Sequence, residues 1–65
     1  MVGKRIKTYL VDHGIKQSFL SEKTGIANDV LSKILLGTRK LDVIEYARIC
    51  RALNVTFDTF ITDED

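Results

Sequence analysis

Apolar residues recur at intervals of three and four along most of the chain. Ile6, Tyr9 and Leu10 form one stripe ahead of Gly14. Leu20 faces inward from a short segment between Gln17 and Thr24, with the small Ser21 beside it. Leu31 and Ile34 fall in a third segment, from about Ala27 to Leu36, and Val43, Tyr46, Ile49, Cys50 and Leu53 give the cleanest repeat. Such spacing gathers apolar side chains on one face of a 3.6-residue helix. No segment sustains the two-residue alternation of a half-buried strand. Gly3, Gly14, Gly25 and Gly37 follow one another at about eleven-residue intervals. That rhythm suits short helices joined by tight turns, with glycine at or just past each helix end. Asp42 is placed to cap the fourth helix through its side-chain oxygen, Asn54 to end it, and Thr56 to cap a last helix from Phe57 to Ile61. The expectation is an all-α fold, a compact bundle of about five short helices.

Composition narrows the class. The 65 residues suffice for one small domain, spanning 1–65, and 45% are hydrophobic against 29% charged, as in an ordinary globular chain. The single cysteine, Cys50, excludes an internal disulfide, and with His13 the only histidine a structural zinc site is excluded too. No apolar run approaches the roughly 18 residues of a membrane span and no signal-peptide pattern opens the chain, so a cytoplasmic setting is expected. Net charge is only +1, but it is unevenly spread. Residues 1–40 carry eight basic side chains against three acidic ones, and residues 41–65 carry two against six, ending in an acidic tail at 62–65. An anionic partner for the basic front and a mixed, solvated surface explain that asymmetry about equally well.

The residue types between Gln17 and Ile34 fit a sharp bend between two helices. Ser21 lets the helices approach, Gly25 accepts a positive φ in the turn, and Leu20, Ile26, Leu31 and Ile34 lock the pair together. This set resembles the helix-turn-helix of the phage repressor and Cro (XRE-type) family of DNA-binding transcriptional regulators. The helix-turn-helix itself covers about residues 17–36. The resemblance extends from Arg5 to about Ile61 and includes the Gly14-Ile15-Lys16-Gln17 entry, the Gly37-Thr38-Arg39-Lys40 loop and the Ala52-Leu53-Asn54-Val55 close of the fourth helix.

The resemblance implies a third helix lying in the major groove, within a symmetric dimer on a palindromic operator. Carried over by position, the base readers are Ala27, Asn28, Asp29 and Lys33, with Ser32 as a further contact. Their chemistry agrees. Asn28 can pair with adenine, Lys33 can donate to guanine, Asp29 can accept from cytosine, and Ala27 can touch a thymine methyl. Asp29 can equally serve the helix dipole or pair with Lys33, four residues on. Phosphate contacts fall to Lys16 and Gln17 and to Thr38, Arg39 and Lys40 in the loop. Gln17 matches a family glutamine that grips phosphate and braces the recognition helix. Lys16 stands where relatives usually carry Ser, Thr or Asn, a cap exchanged for a charge. Lys4, Arg5 and Lys7 read better as a solvated face of the first helix.

Several apolar positions depart from the family pattern. Leu10 and Leu35 stand where many relatives have an Arg–Glu pair, and replacement of both partners by hydrophobes is self-consistent core packing. Phe19 and Leu36 occupy commonly polar places, where they pack locally or form a small patch for another protein. Cys50 reads as an inert core residue and His13 as a helix-end residue. The expected function is a repressor- or Cro-like regulator that needs no cofactor, metal or small molecule. No Ser/His/Asp, Cys/His or paired-carboxylate constellation argues for an enzyme. A different class is an interaction module of the same fold, an antitoxin or anti-repressor binding its partner through Phe19, Leu35 and Leu36. In the resembling family, dimer contacts fall near the last helix, here Val55, Thr56, Phe57 and Phe60. A patch this small implies a weak homodimer, strengthened on DNA.

Overall fold

Three helices end at residues that accept the left-handed region, Gly25, Gly37 and Asn54. The computed structural model describes residues 2–61 and contains α1 (Val2–Asp12), α2 (Gln17–Thr24), α3 (Asn28–Leu36) and α4 (Val43–Leu53). No strand occurs among the described residues. Asp42 caps α4 as expected and does more: its carboxylate accepts the Glu45 amide at 2.7 Å while the Glu45 carboxylate accepts the Asp42 amide at 3.1 Å. That reciprocal pair satisfies two orphan first-turn donors. Asn54 closes α4 in the left-handed region at φ 57°.

The turn between α2 and α3 is built from hydroxyls as well as glycine. Gly25 ends α2 at φ 75°, a conformation that a Cβ would strain. Ser21 is more than small: its hydroxyl donates to the Ile26 carbonyl at 2.6 Å. The buried Thr24 donates to the Leu20 carbonyl at 2.8 Å and accepts from the Ile26 amide at 3.2 Å. The Gly25 and Ile26 amides and the Ile26 carbonyl thus find partners within the protein, which helps to fix the angle between the two helices.

The core lies where α1 packs on α3 and α2 packs on both α3 and α4. Ile6, Leu20, Leu31, Ile34 and Ile49 fill its centre, and Leu10, Ile26, Leu35, Tyr46, Cys50 and Phe60 complete it. Leu10 and Leu35 are both buried, in keeping with core packing in place of an ion pair. Cys50 is buried and unpaired. Val43, assigned to the inward face of the fourth helix by its spacing, is instead exposed.

Two further expectations need correction. Gly3 does not mark a helix end; it lies buried in the first turn of α1, where an added Cβ would collide with the Ile34 carbonyl oxygen. Its absent side chain lets α1 approach the backbone of α3. The fifth helix is also missing. Residues 57–60 form turns, closed by three-residue bonds from the Thr59 amide to Thr56 and from the Ile61 amide to Asp58. The Phe57 carbonyl, which a helix would offer to Ile61, accepts instead from the Tyr46 hydroxyl. So short a segment also gains too few bonds to offset helix nucleation. The acidic tail at 62–65 lies outside the described residues.

Candidate nucleic-acid interface

The first turn of α3 is exposed, and one side chain of α2 holds it in place. Gln17, the first residue of α2, directs its amide nitrogen at α3. Nε2 donates to the Ser32 hydroxyl at 2.8 Å, to Asn28 Oδ1 at 3.1 Å and to the Asn28 carbonyl at 3.3 Å. A backbone carbonyl can only accept, so these bonds set which end of the Gln17 amide faces α3. The Asn28 side chain is in turn held by its oxygen, with its own amide hydrogens still available.

Around this brace the expected base readers share one end of the helix. Ala27 is the residue before α3, Asn28 and Asp29 open it, and Lys33 stands one turn on; all four are exposed. Ser32 is half-buried beneath them and accepts from Gln17. Among the described residues no ion pair joins Asp29 to Lys33, which leaves both charges facing outward.

The expected phosphate contacts flank α3. Lys16 is exposed at the start of α2 and supplies no side-chain cap, and Ala27 supplies none to α3. The first-turn amides of both helices therefore lack side-chain acceptors, a disposition that favours anions. Thr38, Arg39 and Lys40 are all exposed in the loop after α3. Thr38 donates to the Lys33 carbonyl at 3.2 Å. Arg39 differs from its neighbours, because its Nη1 lies 2.9 Å from Glu45 Oε1. That hydrogen bond raises the Arg39 pKa and is the main cause holding the Glu45 carboxyl below its ordinary range; partial burial of Glu45 opposes it and the Asp42 amide adds to it. The pairing crosses a loop, so no helical spacing announces it, although Asp42-x-x-Glu45 is legible as a capping box.

The residues assigned to protein contacts separate by burial. Phe60 is 4% exposed and packs edge-on against Tyr9 and Tyr46, at ring distances of 5.5 and 6.4 Å, so it serves the monomer's own core. Val55 is half-buried against that core, whereas Thr56 and Phe57 are exposed. Phe57 borders a shallow groove of about 270 Å³ with Leu41, Val43 and Ile61. Leu35, at 3% exposure, cannot meet a partner protein without opening the core. Phe19 and Leu36 remain exposed, and the Lys23 ammonium covers the Phe19 ring at 5.6 Å. His13 sits past the end of α1, stacked on Tyr9 at 3.9 Å with Nδ1 against the Tyr9 carbonyl.

Comparison with known proteins agrees with this geometry. The sequence profile of the Cro/C1-type HTH DNA-binding domain matches residues 5–65. The HTH-type transcriptional regulator SinR of Bacillus licheniformis is 32% identical over 66 aligned positions. The alignment takes in all of this chain and 60% of that regulator's length. No solved structure matches.

Proposed function

The chain belongs to the Cro/C1-type helix-turn-helix DNA-binding family, and from that membership we propose that it is a sequence-specific transcriptional regulator acting by occupancy of an operator. The observation that carries this reading is the brace from Gln17 to Asn28 and Ser32, which orders an exposed polar helix end before any ligand arrives. Pre-ordered donors on a major-groove helix lose little entropy on binding, so their contacts count toward affinity. Asn28 and Lys33 are the principal base readers, with Ala27, Asp29 and Ser32 beside them. Lys16, Lys40 and the first-turn backbone amide of Gln17 meet the backbone phosphates, which position the helix without reading sequence, while the Thr38 hydroxyl, already donated to the Lys33 carbonyl, holds the loop between them.

One such helix reads only a few base pairs. A palindromic operator bound by two copies doubles the site, with half-sites about 34 Å apart. Val55, Thr56 and Phe57 form the proposed contact between copies, and Tyr46, edge-on to both Phe57 and the buried Phe60, supports Phe57 from behind. Selection of binding sites from random duplex DNA tests the reading. Enrichment of a two-fold symmetric sequence supports it; recovery of no preferred sequence contradicts it.

A further inference from the structure

We propose that Arg39 is a positioning residue for the loop between α3 and α4 and does not itself neutralise a phosphate, an inference that rests on the reading of that loop as a phosphate-binding segment. The loop is fixed at two ends. At its start, the Thr38 amide, the Thr38 hydroxyl and the Arg39 amide converge on the Lys33 carbonyl at 3.0, 3.2 and 3.3 Å. At its end, Glu45 Oε1 accepts both Arg39 Nη1 at 2.9 Å and the Asp42 amide at 3.1 Å. The same Nη1 reaches the Lys40 carbonyl at 3.3 Å. The guanidinium therefore spans the loop, tying the backbone of Lys40 to the cap of α4.

The balance of charges points the same way. A cation already neutralised by a carboxylate has little net charge to set against a phosphate, so it displaces few of the counterions condensed on DNA. Were Arg39 to grip a phosphate through its remaining donors, the Glu45 carboxylate, 2.9 Å from Nη1, would stand close to the incoming anion and oppose it. Lys40 meets no such conflict: it is exposed, and among the described residues it has no ion pair. Lys40 is thus the loop's phosphate ligand, and the Arg39–Glu45 pair sets where its backbone stands.

Salt titrations of DNA binding test this, using the full chain and a duplex that it selects from random sequence. The variants are Lys40→Gln, Arg39→Lys and the double variant Arg39→Gln/Glu45→Gln. The double variant keeps the wild-type net charge, and the glutamine introduced in place of Glu45 still offers the oxygen that the Asp42 amide needs. Melting should therefore stay close to wild type. The expected result is that it binds about two- to fivefold more weakly, as fits an exposed pair, with an unchanged salt slope. Arg39→Lys, which can still meet Glu45, should bind within about twofold of wild type. Lys40→Gln should lower the slope by about 0.9 per bound copy, and its effect on affinity should shrink in the double-variant background. A slope lowered by about 0.9 per bound copy in the double variant, or wild-type affinity there, overturns the positioning role. An unchanged slope for Lys40→Gln rejects the loop as a phosphate-binding element, and the Arg39 proposal falls with it.

Discussion

A methyl group at position 3 would meet the Ile34 carbonyl oxygen at a distance no real side chain tolerates. Alanine is ordinarily worth up to about 1 kcal/mol over glycine inside a helix. Here the obstacle is backbone, which cannot rotate away, and overpacking of that kind costs about 1–3 kcal/mol. Gly3→Ala should therefore lower the melting temperature by several degrees, measured by circular dichroism; a rise would show that α1 can move off α3. The sequence could not disclose this role, because a close approach between α1 and α3 is a property of the packed molecule. Leu10 and Leu35 were more legible, since two hydrophobes at the places of an ion pair already imply burial. With Leu35 at 3% exposure, Leu35→Glu should destabilise the fold by about 3 kcal/mol through an unpaired buried charge. Leu10→Arg in addition should recover part of it. Equal melting of Leu35→Glu and wild type would contradict the packing.

At the scale of elements, the four helices follow apolar spacing and local end signals, which is why they could be read from the chain. The fifth could not. Its fate turns on the Tyr46 hydroxyl, eleven residues away, which takes the carbonyl that a helix would have used. The α4 cap lies between these cases: Asp42 was evident, but the part Glu45 plays with Arg39 depends on a loop folding back. That part has a pH signature. The Arg39 hydrogen bond lowers the Glu45 pKa from its ordinary 4.5, against partial burial, with Asp42 and Arg48 also acting on it. A lowered carboxyl contributes stability above its ordinary range, and that contribution disappears as pH falls through the folded-state value. Wild type should therefore exceed Glu45→Gln in stability at neutral pH, by a small margin because water screens the exposed Arg39. The difference should begin to shrink below pH 4.5 and be lost as pH falls through the lower folded-state value. A difference that persists in acid would assign it to the cap rather than to the charge.

For the whole molecule, the question is how a domain measuring 30 × 23 × 21 Å would select one site among many, as the proposed function requires. The candidate surface was largely legible as residue types, since Asn28, Asp29 and Lys33 stand at the start of a predicted helix. The brace that orders them was implied by resemblance and appears in the structure as three donated bonds from Gln17. The proposed dimer contact was less legible: spacing could not tell the buried Phe60 from the exposed Phe57. If Phe57 joins two copies, Phe57→Ser should weaken binding to a two-half-site duplex while leaving a single half-site unaffected, as read by gel shift. Equal losses on both duplexes would place Phe57 outside the dimer contact. The central claim is that the exposed start of α3 reads bases, and it is tested most directly by equilibrium binding of wild type and Asn28→Ala to the selected duplex and its single-base-pair variants. The account predicts that Asn28→Ala loses about 1–3 kcal/mol on the selected duplex and loses discrimination at one base pair per half-site. A uniform loss across every duplex, with wild-type discrimination intact at all positions, would contradict it.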